Sequence, residues 1–242
     1  MLNRSSTPPP KPVTELWRPD LVALPRLTFG RRVFRTFLRG LTKLLVLVTM
    51  RATVSGMENF PKHGPALVVF NHLGDADAIL LGASIPFMMD GMGKIELNDH
   101  WLAGPILRAY GIIWVHQGRP DRRALRAALD GLAEGRMVII APEGRESVIG
   151  GLEDGTEGAA FLALRSGASI VPIAMTGTGN QNIYTNLKRL KRTVVTLTVG
   201  KPFVLKPQAD RQSMLREGTR QIMVSLANLL PESYRGNYKS NP

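Results

Sequence analysis

An α/β fold, with a largely parallel or mixed sheet flanked by helices, is predicted by three features of the sequence. Short apolar runs recur at Ala66–Phe70, 111–115, 137–141, 170–175 and 194–199. Between them, residues 75–84, 121–135 and 156–167 space their apolar side chains by three and four and end near glycine, as amphipathic helices do. Strands alternating with helices pair mainly in parallel, and ligands of such sheets gather at the carboxyl ends of the strands. Size is the third feature: 242 residues, 44% of them hydrophobic, suit one such domain with an extension at each end.

Taken in chain order, residues 1–24, which include STPPPKP, read as a disordered Pro-rich leader. Residues 25–52 are expected to be helical, in two pieces around Gly30 or Gly40. Val33, Phe34, Phe37, Leu38, Leu41, Leu44, Leu45 and Val48 form an apolar stripe, with Arg31, Arg32, Arg35, Arg39 and Lys43 falling largely between. A stripe of this kind fits a helix lying in a membrane interface with its bases against anionic headgroups. The alternative is a helix packed on the domain with solvated arginines. Residues 53–230 are the expected catalytic body, beginning with a loop (VSGMENFPKHG) and closing on a helix over 210–230. Residues 231–242 read as a flexible tail.

The formal net charge is +12, and residues 1–52 hold ten bases against two acids. That concentration on an amphipathic segment, without aromatic stacking motifs or helix-turn-helix signals, favours an anionic membrane surface over nucleic acid as partner. No apolar stretch approaches the ~18–20 residues that span a bilayer, and no secretory signal pattern is visible. Cysteine is absent, which excludes disulfides, thiolate metal sites and a covalent thioacyl-enzyme.

The chemistry gathers at two strand ends. ALVVF runs into Asn71-His72, followed by Asp75 and Asp77. If Asp75 caps the next helix, Asp77 lies in its first turn and can fold back toward the imidazole of His72. An aspartate bonded to one ring nitrogen sets the tautomer and leaves the other nitrogen to accept a proton. No G-x-S-x-G elbow and no cysteine offers the pair a protein nucleophile, so it is suited to deprotonate a substrate hydroxyl or water. Alone, the H-x-x-x-x-D spacing also fits a structural histidine beside a capping acid. The second strand end, VIIAPEGRES, places Glu143, Gly144, Arg145 and Ser147 together. Glycine admits close approach of a ligand, Glu143 can orient hydroxyls, and Arg145 can grip phosphate bidentately.

NHLGDAD, then MGKIELND, APEGRES and IVPIAMTG, in that order over residues 54–202, resemble the glycerolipid acyltransferase superfamily, typified by lysophosphatidic acid acyltransferase. The resemblance implies acyl transfer from acyl-CoA or acyl carrier protein to a lysophospholipid hydroxyl, with no other cofactor and no metal. His72 would be the base, Asp77 its orienting partner, and Asn71, Arg119, Glu143, Gly144, Arg145 and Ser147 the acceptor site. It further implies a peripheral enzyme at the cytoplasmic face of a membrane. Two family positions depart from the pattern: Gln117 and Glu146 stand where arginines are expected, so Arg119 and Arg145 are the candidate replacements. A non-phosphate acceptor, and a non-catalytic lipid-binding or scaffolding protein of the same fold, are the other readings.

Overall fold

The computed structural model describes residues 9–206 and 210–239. Its centre is a seven-stranded sheet: β1 (Met50–Ser55), β2 (Ala66–Phe70), β3 (Met89–Lys94), β4 (Ile113–Val115), β5 (Met137–Ile140), β6 (Ser169–Thr176) and β7 (Thr193–Val199). Their spatial order is β1-β7-β6-β2-β5-β3-β4. Five strands, β6 through β4, run parallel; β7 is antiparallel to β6 and parallel to β1. The sheet is therefore mixed, and its five parallel strands bring their carboxyl ends to one rim.

Among the described residues seven α-helices accompany it: α1 (Phe29–Thr49), α2 (Ala76–Ser84), α3 (Ala103–Tyr110), α4 (Arg122–Ala133), α5 (Gly158–Ser166), α6 (Asn180–Lys188) and α7 (Arg211–Leu229). The pleat of β2 sorts its side chains to two cores. Leu67 and Val69 face α4, α5 and α7, among Ala128, Leu132, Leu162, Ile222 and Met223. Val68 lies on the other face with Leu80 and Leu81 of α2 and Ile183 of α6. Burial on both sides explains why β2 reads as a continuous apolar run rather than an alternating one.

Two strands lie outside the sequence expectation. β1 occupies the predicted junction and loop because it is an edge strand, exposed after Met50. β3, MDGMGK, holds two glycines and no β-branched residue, so propensity conceals it. The N-terminal helix is one 21-residue piece and not two. Gly40 does not break it: a side chain there would meet nothing within 4 Å.

The extensions also differ from expectation. Residues 9–24, expected to be disordered, form a strap across the domain. Lys11 Nζ donates to the Asp154 carbonyl, Thr14 exchanges bonds with Gln117, and the Trp17 ring lies 4.5 Å from that of His116. The end of the chain, expected to be flexible, docks through short 3-10 turns at Glu232–Tyr234 and Gly236–Tyr238. Leu152 N–H donates to the Tyr234 carbonyl, Asn237 N–H to the Leu152 carbonyl, and Gly177 N–H to the Tyr234 hydroxyl. Residues 1–8 of the expected leader and 240–242 of the expected tail lie outside the described residues.

α1 keeps its apolar stripe outward, but several of its arginines turn to the domain instead of flanking that stripe. Arg35, expected to face lipid, is buried against the domain, donating to the Asp90 carboxylate at 2.6 Å and to the carbonyls of Tyr110 and Gly111. Arg31 donates to the carbonyls of Arg26, Arg108 and Ala109, and Arg39 to that of Pro86. The arginines thus fasten the helix inward, while Phe29, Val33, Phe37, Leu44, Leu47 and Val48 are exposed. Among the described residues no helix is long and apolar enough to cross a membrane.

Asp90 also lies 3.4 Å from Arg136. Asp90→Ala leaves a buried guanidinium without its counter-ion, a class of change that costs about 3–5 kcal/mol. Urea denaturation of the full chain is expected to show a loss of that order, and a loss within experimental error would refute the assigned anchoring role.

Candidate active site

Strand register brings the two polar clusters together. β2 and β5 are neighbours, with Ala66 opposite Met137 and Val69 opposite Ile140. Carried past the strand ends, the same offset sets His72 opposite Glu143, and the His72 backbone N–H donates to Glu143 Oε1 at 2.9 Å. The His72 carbonyl accepts from Ser147 N–H at 2.7 Å. The imidazole is consequently held through its own main chain on both sides.

Asp77 enters from the first turn of α2. Its Oδ2 accepts from His72 Nδ1 at 2.8 Å and from the backbone N–H groups of Leu73 and Gly74 at 2.7 and 3.0 Å. An ionised carboxylate only accepts, so the proton resides on Nδ1 and Nε2 keeps a lone pair. Asp77 is fully buried, whereas the His72 side chain is 27% exposed. Burial of the ring opposes its charged form. The bond and charge of Asp77, reinforced by Glu146 and Glu143, outweigh burial and raise the His72 pKa. Asp75 does not cap α2 with its side chain as expected; it accepts from the Tyr184 hydroxyl instead. Asn180 Oδ1 takes the Asp75 N–H, approaching so closely that a side chain at position 74 would meet it at 2.5 Å.

Most of the expected acceptor-binding residues serve as scaffold. Asn71 is buried and bonded at both ends of its amide to the backbone of Met175 on β6. Glu143, also buried, accepts from the N–H groups of His72 and Glu153. Burial pushes its pKa up to about 7, against those two bonds. Gly144 supplies the left-handed turn (φ +72°), a conformation that favours glycine. Ser147 is tied to the Gly151 carbonyl.

Neither candidate arginine faces His72. Arg145 turns inward, its Nε 2.6 Å from Glu153 and its Nη1 on the carbonyls of Pro9 and Pro10. Arg119 donates to the Thr14 carbonyl and lies over the Trp17 ring. Of the two departed slots, the one beside the imidazole is Glu146. Glu146 Oε1 lies 4.0 Å from His72 Nε2, and its Oε2 accepts from Asn180. Gln117 donates to the Gly144 carbonyl. A cleft of about 580 Å³ adjoins Glu146, with Leu73, Glu146, Ser147 and Asn180 in its wall; His72 lies behind that wall, reached through Glu146.

The sequence reading overlooked a second H-x-x-x-x-D pair. His116 Nδ1 lies 2.6 Å from Asp121 at the end of β4, and His116 is fully buried. Its Nε2 accepts the backbone N–H of Arg18 from the strap, so the nitrogen that could take a substrate proton is occupied. Spacing finds both pairs; exposure of Nε2 separates them. Asn180 was also overlooked, and lies more than a hundred residues from His72 with no local motif to mark it. Among the described residues no group of three or more His, Asp or Glu side chains is placed to hold a metal.

Arg145→Ala tests its structural assignment. It leaves Glu153 buried without a counter-ion, and a loss of about 3–5 kcal/mol is expected in denaturant unfolding. Full stability, with only acceptor affinity reduced, would return Arg145 to the binding site.

Comparison with known proteins agrees with this architecture. A family model described as Acyltransferase matches residues 51–176, which hold both clusters. A 1-acyl-sn-glycerol-3-phosphate acyltransferase of Borreliella burgdorferi is 29% identical over 56% of this chain and 55% of its own length. One from Chlamydomonas reinhardtii is 30% identical over 75% of this chain and 54% of its own. The chain thus spans roughly half the length of the curated relatives it matches. The crystal structure of the 1-acyl-sn-glycerophosphate acyltransferase PlsC from Thermotoga maritima shares the fold, with a TM-score of 0.61 at 20% identity over 84% of each chain. With half of its length matched and the mixed α/β fold shared, the chain belongs to the Acyltransferase family.

Proposed function

We propose that the protein transfers a fatty acyl group from a thioester donor, acyl-CoA or acyl carrier protein, to the hydroxyl of a lysolipid. The observation that carries this reading is the partly exposed imidazole of His72, held through Nδ1 by a buried carboxylate, with neither cysteine nor a nucleophile elbow for it to serve. The names of the relatives, which act on 1-acylglycerol-3-phosphate, support a lysophospholipid acceptor.

In this mechanism His72 Nε2 removes the acceptor's hydroxyl proton as the oxygen attacks the thioester carbonyl. Asp77 holds Nδ1–H and stabilises the imidazolium that forms. Collapse of the tetrahedral intermediate breaks the carbon–sulfur bond, and the proton on Nε2 returns to the departing thiolate. Ester and free thiol leave. Glu143 and Asn71 are positioning residues, acting on backbone and never on substrate.

His72→Ala is expected to lower acyl transfer by about 10²–10⁴-fold with little change in thermal stability; retained turnover would remove the base assignment. The pH dependence follows from the sign of the shift. Only neutral imidazole accepts a proton, and the raised pKa keeps His72 protonated to higher pH. The rate therefore falls with acidification, with a midpoint above the ordinary histidine value near 6.5. A midpoint below that value would contradict the role given to Asp77.

For the partner surface we propose an anionic membrane, contacted peripherally and on the cytoplasmic side. The outward row of Phe and Leu on α1 supports this, since an exposed apolar stripe on an interfacial helix enters the headgroup region. A basic turn joins it. Leu190 is 97% exposed in a left-handed conformation among Lys188, Arg189, Lys191 and Arg192, and Arg192 donates to the Met50 carbonyl at the end of α1. In flotation with anionic liposomes, Phe37→Asp with Leu44→Asp is expected to release most of the full-length protein. Undiminished binding would discard this surface.

A further inference from the structure

The cleft beside His72 has the wrong charge for a phosphomonoester. Glu146 contributes a carboxylate 4.0 Å from Nε2 and remains 36% exposed at its side chain. Around it are the amides of Asn180, Gln181 and Asn182 and the hydroxyls of Ser147, Thr185 and Tyr234. Among the described residues, none that lines the cleft carries a positive charge. The two candidate phosphate-binding arginines are committed elsewhere, Arg145 to Glu153 and the strap, Arg119 to Thr14 and Trp17.

Glu146 is held in this position. Asn180 Nδ2 donates to it at 3.1 Å, and Asn180 is itself fixed by taking the Asp75 N–H on its Oδ1. The remaining Glu146 oxygen, Oε1, is the one directed toward Nε2. A phosphomonoester brings about −1.5 to −2 charges at neutral pH. Placed here it would lose water and meet a like charge with no cation to offset either cost. A hydroxyl or ammonium group would instead donate to a carboxylate that has an oxygen to offer, the stronger class of hydrogen bond.

We infer that Glu146 selects the acceptor: the cleft takes a lysolipid whose head group presents hydrogen-bond donors, hydroxyl or ammonium, in preference to a terminal phosphomonoester. This rests on the acyl-transfer reading above for its chemistry, but the selection resides in binding and can be measured apart from turnover. Glu146 also touches the site of proton transfer, so its removal should move the pH midpoint of the reaction downward as well as changing acceptor affinity.

The test uses the full chain and short-chain lysolipids below their micellar concentration, with phosphomonoester, glycerol or ethanolamine heads. Binding is followed by calorimetry and transfer with an acyl-CoA. The wild type is expected to favour glycerol or ethanolamine heads about tenfold or more over the phosphomonoester in both assays. The glycerol and ethanolamine arms separate a hydroxyl from an ammonium as the recognised donor. Glu146→Gln should lose most of that preference and lower the pH midpoint, and Glu146→Arg should reverse the preference. Preference for the phosphomonoester in the wild type, unchanged by either substitution, would overturn the inference while leaving acyl transfer intact. Selective binding with no transfer to any acceptor would support the inference and overturn the acyltransferase reading.

Discussion

One hydrogen bond organises the site: the backbone N–H of His72 donates to the carboxylate of Glu143, extending the β2–β5 register three residues beyond its last strand pair. Parallel pairing cannot slip by one residue without exchanging inward and outward side chains, so the position of the imidazole follows from how two apolar strands pack. The second oxygen of Glu143 accepts from Glu153 N–H, and Glu153 in turn pairs with Arg145, which reaches the strap at Pro9 and Pro10. A chain of buried polar contacts thus runs from the strap to the reactive histidine. Such networks confer rigidity only when their members are satisfied. Here each link is made by a backbone group or a paired charge.

Two histidine–aspartate pairs with identical spacing illustrate what decides function. At the end of β4 the strap covers His116 and takes its outer nitrogen. At the end of β2 none of the described residues donates to His72 Nε2, and Glu146, 4.0 Å away, belongs to the wall of the cleft. The same local chemistry is structural in one place and reactive in the other, because the covering segment differs.

Much of this was legible in the sequence. The apolar runs at β2, β5 and β6 are buried strands, and burial is what makes them apolar; the histidine–aspartate contact follows from a strand end and a helix start five residues apart. What was not legible depends on partners far along the chain. Nothing near Arg145 says that it will find Glu153 and the strap, nor does Arg35 announce Asp90, 55 residues away. The destination of the α1 arginines is equally hidden: the apolar stripe lies outward, but Arg31, Arg35 and Arg39 reach carbonyls of the domain instead of flanking that stripe. β1 and β3 escaped for a simpler reason, since an exposed edge and a glycine-rich segment lack the pattern by which strands are found.

The central claim is that His72 carries its proton on Nδ1 and keeps a basic Nε2 beside Glu146 in the wall of the cleft. Nitrogen NMR of the protein labelled with ¹⁵N-histidine, assigned by loss of one spin system in His72→Gln, reads this without substrate. The account predicts a neutral ring protonated at Nδ1, with Nε2 titrating above 6.5. A neutral ring protonated at Nε2, or an Nε2 that does not titrate, would contradict it.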